Sequence, residues 1–231
     1  MKYISFCIFG NIKKYRKGLL SNIDIIKEKL PEYGIRIIAG NDVDEEYIKL
    51  LENYKSSHSI INIIKKDFTG HKLMIERFFG IDDIDTELIF SRDADSRITE
   101  RDLWCMKDFE NNRQSFIHII RDHKNHDQYI MGGMCGFKKV NGRFPLKIQD
   151  LSIRFKDSFN DSQLYNQYGI DQLFLQLVYK MNLPRLIHSN YVIYSNEKRT
   201  LIPFDHKDLY DFIGNIVEFD ENDKEVYLCK V

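Results

Sequence analysis

The fold of this chain is decided by the stretch Leu88-Ile89-Phe90-Ser91-Arg92-Asp93-Ala94-Asp95-Ser96-Arg97. Its first three residues are apolar and predict a short buried strand, so that Asp93 and Asp95 follow where the chain leaves a sheet. In open α/β folds, ligands bind at that end of the strands. Carboxylate oxygens are the ligands that Mg²⁺ and Mn²⁺ prefer, together with substrate phosphates. The alternative is a structural cluster in which Arg92 and Arg97 pair with the two acids, and spacing alone does not decide between them.

Apolar runs alternate with helical patterns on the N-terminal side of this stretch. The predicted strands are Tyr3–Phe9, Ile35–Ala39, Ser59–Ile64 and Glu87–Phe90, and the predicted helices between them are Leu19–Leu30, Asp44–Tyr54 and Gly70–Phe79. Alternation of strands and helices is typical of a parallel sheet with helices on both faces. We therefore expect an α/β fold of the Rossmann type, a mainly parallel sheet flanked by helices, with the acid pair after the fourth strand.

The pattern continues downstream of the acid pair. Thr99 followed by Asp102 predicts the N-cap of a helix that runs to about Asn111. Further strands are predicted over Ser115–Arg121 and Gly132–Phe137, and further helices over Leu146–Lys156 and Gly169–Met181. No internal repeat or linker divides the sequence, so we expect a single domain over residues 1–231.

Composition excludes several classes of partner. Lys and Arg number 34 against 35 Asp and Glu, so no general basic field attracts nucleic acid. No run approaches the ~20 apolar residues of a transmembrane helix, and the apolar N-terminus predicts the first strand rather than a signal peptide.

The cysteines form no C-x-x-C pair, which predicts free thiols in a reduced, cytoplasmic setting, a host cytoplasm if the protein is viral. They are Cys7, Cys105, Cys135 and Cys229. The oligomeric state stays open, a homo-oligomer included.

A second polar cluster follows the strand that ends at Arg121. Asp122, His123 and His126 crowd the strand's end, where they predict a pocket wall suited to sugar hydroxyls, with Asp122 able to act as a base. The pair Gly132-Gly133 lets backbone approach a ligand closely, although a tight turn explains it equally well.

Two later residues each have a functional and a structural interpretation. Asp171 begins an apolar helix, so it either contacts substrate or caps the helix N-terminus. His188 ends an apolar run and could reach a metal or phosphate, but a lone histidine is more often only hydrogen-bonded.

Taken together, these segments resemble a GT-A-type glycosyltransferase domain of the Asp-x-Asp kind, found in bacterial surface-polysaccharide loci and large DNA viruses. The resemblance rests on Arg92–Arg97 with Glu100-Arg101, His118–His123 with His126, Gly132–Gly136, and Tyr168–Leu175. It extends from Tyr3 to Gly214 and is strongest between Arg77 and Leu175. It implies a hexosyltransferase or related enzyme that moves a sugar from a nucleoside-diphosphate sugar, UDP-sugar first, to a glycan or other hydroxyl acceptor in polysaccharide synthesis. Residues 1–98 would form the nucleotide-sugar half and residues 99–231 the acceptor half.

The resemblance also assigns donor residues. Those implied to hold the donor are Phe9, Gly10, Tyr15, Arg16, Arg77 and Arg92. Asp95 is expected to ligate Mn²⁺ or Mg²⁺ directly and Asp93 to contact ribose or the metal through water, neither being a nucleophile. His188 would complete the metal shell, with His206 as its substitute.

On the acceptor side, the resemblance leaves stereochemistry open. An inverting enzyme needs a carboxylate base, either Asp122 or Asp171, whereas retaining relatives have a similar Asp-Gln pair at a helix start. The residues implied to line the acceptor and sugar pocket are His123, His126, Gly132, Gly133 and Gln172. Cys135 stands where relatives tend to have tryptophan, which predicts a wider pocket.

Two other functions compete. Phosphatases of the haloacid-dehalogenase type place Asp-x-Asp after a buried strand, with the first acid, here Asp93, as nucleophile. That class carries the motif near the N-terminus and a Thr or Val where this chain has Arg97. A non-catalytic sugar-binding domain is the third alternative.

Overall fold

A computed structural model describes residues 1–57, 61–161 and 163–228. The strands are β1 (Lys2–Ile8), β2 (Gly34–Ala39), β3 (Ile61–Lys65), β4 (Leu88–Arg92), β5 (Ile117–Arg121), β6 (Met134–Lys138), β7 (Arg185–Ser189), β8 (Ile216–Phe219) and β9 (Glu225–Leu228). The helices are α1 (Lys13–Lys29), α2 (Glu45–Ser57), α3 (Glu100–Asn111), α4 (Ile148–Asp157) and α5 (Ile170–Lys180), with 3₁₀ helices over His71–Asp82 and Leu164–Asn166. The first two residues of the predicted strand Ser59–Ile64, and Cys229, lie outside the described residues.

The main sheet has seven strands in the order β3-β2-β1-β4-β6-β5-β7. All neighbours pair in parallel except β6, which runs antiparallel to β4 and β5. Because β6 runs the other way, its first residue, Met134, lies beside the last residue of β4, Arg92. The loop that leads into β6 therefore meets the carboxyl ends of the parallel strands at one edge. This arrangement confirms the expected single α/β domain with a mainly parallel sheet.

Helices cover both faces of the sheet. Strand β4 is buried throughout, and its side chains alternate: Phe90 packs with α1 and α3, whereas Ile89 packs on the opposite face. On that opposite face the 3₁₀ helix and α5 meet through Phe78 and Phe174, whose rings stack at 6.2 Å. Burial on both faces explains why β4 reads as an unbroken apolar run rather than an alternating one.

Two predicted helices differ from the structure. The segment predicted as a helix over Gly70–Phe79 is a 3₁₀ helix over His71–Asp82, wedged between the sheet, α4 and α5. Helix α1 begins at Lys13, six residues before the predicted start, although its first turn carries cations and no acid. Cations oppose the positive end of the helix dipole. Carboxylates from the distant β8–β9 hairpin compensate, because Lys13 and Lys17 both pair with Asp223.

Candidate active site

A cleft of about 370 Å³ opens at the carboxyl ends of β1 and β4. Its walls come from the end of β1, the first turn of α1, the 3₁₀ helix, the loops after β4 and β5, the start of α5 and the segment 212–216. The predicted site residues among its lining are Phe9, Tyr15, Arg77, Asp93, Asp95, His123, His126 and Gln172. Those outside the lining are Gly10, Arg16, Arg92, Asp122, Gly132, Gly133, Asp171, His188 and His206.

Asp93 is the more exposed acid of the pair. Its side chain is 38% exposed, and Oδ1 accepts a hydrogen bond from Nη1 of Arg77 at 2.6 Å. A Cβ at Gly133 would lie 2.6 Å from Oδ1 of Asp93 and closer still to Oδ2, so that only glycine leaves room for this carboxylate. Gly132 plays the same part for Asp171 and Arg77. The glycine pair thus leaves room for the Asp93 carboxylate at the cleft and for the Asp171–Arg77 ion pair behind it.

Asp95 is the more buried acid, with a side chain that is 11% exposed. Nζ of Lys14 lies 3.3 Å from its Oδ2. Burial and the nearby Asp93 raise the pKa of the Asp95 carboxyl, while Lys14 opposes them. The backbone of Asp95 is fixed from the C-terminal hairpin, since its carbonyl accepts from the N–H of Val217 at 2.7 Å.

Negative charge exceeds positive charge around the pair. Arg77 also donates to Asp171 at 2.7 Å, and Lys14 also donates to Glu218 at 3.0 Å. The connected side chains are Asp93, Asp95, Asp171, Glu218, Arg77 and Lys14. Four carboxylates therefore face two cations, an excess that one divalent cation would neutralise.

The donor set fits a hard cation. Asp93 and Asp95 offer carboxylate oxygens at the wall of a cleft, and Mg²⁺ or Mn²⁺ takes such ligands and completes its shell with water and phosphate. Within the described ranges, no group of three or more His, Cys, Asp or Glu side chains is arranged to hold a metal. The expectation of a third protein ligand has no support there.

The structure places His188 elsewhere. Its ring is fully buried between His118, at 2.8 Å, and Asp108, at 3.0 Å, so both ring nitrogens already have partners. Its predicted role as a metal ligand is wrong, because the side chain belongs to a buried hydrogen-bonded chain. The substitute, His206, lies beside Arg101, at 3.3 Å, rather than beside the acid pair.

The two predicted bases are both held by arginine. Asp122 is fully buried and accepts two hydrogen bonds from Arg101, at 2.6 and 2.9 Å, and one from the N–H of Ile213. Its predicted role at the cleft is therefore wrong, and its carboxylate instead fastens the segment that leads to the cleft residues 212–216. Asp171 lies behind Arg77 and is nearly buried, while the adjacent Gln172 lines the cleft.

Two predicted donor arginines also turn away. Arg92 forms a two-pronged ion pair with Asp102 of α3, at 2.6 and 2.7 Å, inside the protein. Arg16 pairs with Asp44 and packs on the ring of Tyr47. Neither lines the cleft, so the donor role predicted for them is wrong. The alternative, in which Arg92 and Arg97 pair with Asp93 and Asp95, is wrong as well, because Arg97 pairs with Glu225. Gly10 turns the chain after β1 with φ 65°.

His123 and His126 line the cleft as hydrogen-bond donors rather than bases. Nδ1 of His126 lies 3.1 Å from the N–H of Asp122 and accepts from it, which leaves the proton of the neutral ring on Nε2. Burial and the nearby His123 lower the pKa of His126 to about 3, so the ring stays neutral. The ring of His123 stacks on Phe212 at 4.3 Å.

Some lining residues escaped sequence reasoning. His71 and Tyr168 form an aromatic row with the predicted Phe9, in which neighbouring ring centroids lie 5.5 Å apart, and Tyr168 is 81% exposed. The segment 212–216 was missed as well, as was Lys14, which lies beside Asp95 but outside the lining. Tyr168 is the first residue of the Tyr168–Leu175 stretch that carries the resemblance, although no role was assigned to it; the other positions carry no local pattern. Cys135 is buried in the core and lies outside the lining, so the expectation of a wider pocket at that position is not met.

Comparison with known proteins identifies the fold. No protein-family model matches this sequence, and no curated protein matches it. TarS 1-349 of S. aureus superposes with a TM-score of 0.54 at 15% identity, over 87% of this chain and 60% of that one. The mannosyltransferase PcManGT from Pyrobaculum calidifontis, in complex with GDP-Man and Mn²⁺, gives 0.54 at 11% identity, over 81% and 54%. The glycosyltransferase GlyE of Streptococcus pneumoniae TIGR4 gives 0.54 at 16% identity, over 80% and 45%.

These similarities confirm the expected GT-A-like fold class. At such identities they concern the fold, and this chain spans between 45% and 60% of the three proteins. TarS has also been crystallised with UDP and with UDP-GlcNAc. No helix in the described part of this chain is long and apolar enough to cross a membrane.

Proposed function

We propose that this chain is a metal-dependent glycosyltransferase. It moves a sugar from a nucleoside-diphosphate sugar, with UDP favoured as the nucleotide, to a hydroxyl of a glycan or another acceptor. The observation that carries the proposal is the pair Asp93 and Asp95 at the wall of a cleft, within a cluster that has two more carboxylates than cations. A divalent cation would neutralise this excess of negative charge and would in turn bind the diphosphate of the donor.

Asp93 and Asp95 would hold Mn²⁺ or Mg²⁺. The ion, when bound, would stabilise negative charge on the departing diphosphate as a Lewis acid. Arg77, almost fully buried, keeps Asp93 oriented toward the cleft through a short hydrogen bond. At the diphosphate end of the cleft, the protein fixes the carboxylate oxygens of Asp93 and Asp95 and shields Asp95 from bulk water.

The remaining walls suit the two ends of the donor. Phe9, His71 and Tyr168 present aromatic surface on the side of β1 and α5, where a nucleobase can pack. On the other side, the neutral His126 offers its Nε2 proton and Gln172 its amide to sugar or acceptor hydroxyls. The donor residues thus come mainly from 1–98, with Tyr168 added from 99–231, and the residues offered to the acceptor come from 99–231.

A ligand-binding experiment tests the function. We expect UDP to raise the melting temperature in the presence of Mn²⁺ and to have little effect with EDTA. A ligand present at a hundred times its dissociation constant stabilises by about 2.7 kcal/mol, or roughly 5–11 °C for a chain of this size. The variant Asp95→Asn should lose the shift, whereas Asp205→Asn, an exposed acid outside the cleft, should keep it. Nucleotide-sugar hydrolysis across UDP-, GDP- and dTDP-sugars then identifies the donor. Absence of a shift with every nucleotide and metal would refute the proposal.

A further inference from the structure

Lys14 is a partly buried cation beside the acid pair that no sequence motif marks. It lies in the first turn of α1, and its side chain is 18% exposed. Its Nζ lies 3.3 Å from Oδ2 of Asp95 and 3.0 Å from Oε1 of Glu218. The next residue, Tyr15, lines the cleft, and Nζ of Lys14 lies 5.2 Å from the centre of its ring. Lys14 thus stands at the junction of Asp95, the cleft and the C-terminal hairpin.

The two acids of the pair are held by different kinds of cation. Asp93 is held by Arg77, a buried guanidinium whose other prong is fixed by Asp171. Among the described residues, the Asp95 carboxylate pairs with one cation, Lys14, through a longer contact and a flexible stem. A guanidinium fork resists displacement, whereas an ammonium is a point charge that moves with its stem. Of the two cations, Lys14 is the one that can leave.

We propose that Lys14 exchanges partners when the site fills. Its ammonium holds Asp95 in the absence of a divalent cation, leaves Asp95 when the cation binds, and then donates to the diphosphate of the donor. The reason is electrostatic: an ammonium and a divalent cation repel each other at one carboxylate. Glu218 keeps the freed ammonium near the cleft, and an ammonium has three protons to donate, so it can bond Glu218 and phosphate together. The phosphate step rests on the proposed function, whereas the cation step does not.

The exchange predicts effects of opposite sign for one substitution. In Lys14→Met, removal of the competing charge should tighten Mn²⁺ binding without nucleotide about threefold or more, as measured by calorimetry or by Mn²⁺ EPR. UDP binding at saturating Mn²⁺ should weaken roughly tenfold, the size of one charge-assisted hydrogen bond. If Lys14 only stabilised helix α1, the substitution would weaken the binding of both Mn²⁺ and UDP. The matched control is Lys13→Met, because Lys13 pairs with the exposed Asp223 of the hairpin, and both affinities should then stay within about twofold.

Lys14→Arg completes the series and keeps the charge. Arginine should hold Asp95 by two hydrogen bonds, so Mn²⁺ affinity should rank Met above Lys above Arg, while UDP affinity should rank Met last. Any other ranking of the cation affinities, or UDP binding in Lys14→Met equal to that of the native chain, overturns the proposal. A urea titration of each variant checks that it is folded. If the native chain binds Mn²⁺ but no nucleoside diphosphate, the proposed function fails, and the ranking of cation affinities still decides the role of Lys14.

Discussion

The glycine beside Asp93 offers a direct test of the site geometry. In Gly133→Ala, the new methyl group would lie within 2.6 Å of Oδ1 of Asp93, and real Cβ atoms do not approach other atoms closer than about 3 Å. The backbone of Gly133 is not in the left-handed region, so alanine brings no strain of its own. The carboxylate must therefore turn away from the glycine and lose its bond with Arg77.

The expected loss of stability follows from that bond. A hydrogen bond between charged groups contributes about 1.5–3 kcal/mol, and the low end applies because Asp93 is 38% exposed. We expect Gly133→Ala to lower the free energy of unfolding by about 1.5 kcal/mol, or the melting temperature by roughly 3–6 °C. Mn²⁺ affinity should fall at the same time, because Asp93 no longer faces the cleft.

A double-mutant cycle with Asp93→Ala isolates the collision. Urea unfolding is measured for the native chain, each single variant and the pair. The three atoms nearest to the alanine methyl group all belong to the Asp93 carboxylate, so Gly133→Ala should cost little in the Asp93→Ala background, giving a coupling of about 1–1.5 kcal/mol. An equal cost of Gly133→Ala in both backgrounds would show that the methyl group strains the backbone instead, and the account of the glycine pair would be wrong.

Three further predictions concern charge. Asp95→Asn should raise the melting temperature of the ligand-free protein at pH 7 and have less effect near pH 4. The reason is that the pKa of Asp95 is raised, so its ionisation costs stability as the pH rises. Calorimetry at both pH values measures this. The native chain should lose about 2 kcal/mol of stability between pH 6.5 and pH 5 through His126. Its pKa of about 3 lies below that of an unfolded histidine, so protons bind the unfolded chain more strongly as the pH falls. In urea titrations, His126→Gln should remove that loss. Asp122→Asn should destabilise by roughly 3 kcal/mol, as expected when a buried pair with Arg101 is broken, whereas a base exposed to substrate would lose kcat with unchanged stability.

Local sequence was sufficient for the frame of the site. The apolar run before Asp93 predicted β4, and burial on both faces follows from the parallel sheet around it. Thr99 predicted the start of α3, and its hydroxyl accepts from the N–H of Asp102 at 3.3 Å. These features depend on residues within a few positions of one another, where periodicity and capping carry the information.

The choice of partners could not be predicted in the same way. Arg92 precedes Asp93 directly but lies on the face of β4 that meets α3, where Asp102 receives it, because successive strand residues point to opposite faces. Arg77, from the 3₁₀ helix, reaches Asp93 in its place. The cations in the first turn of α1 are likewise balanced by Asp223 and Glu218, about 200 positions away.

By itself, the sequence determined the alternation of strands and helices, the position of the acid pair after the fourth strand and the resemblance that pointed to a sugar-nucleotide site. Only the tertiary structure decided which charges meet. It removed Arg92, Asp122 and His188 from the cleft, placed Lys14 beside Asp95, and joined His71 and Tyr168 to the predicted Phe9 in one aromatic row. The physical reason is that strand and helix patterns arise from neighbours along the chain, whereas a buried charge takes whichever opposite charge the packed elements place within reach.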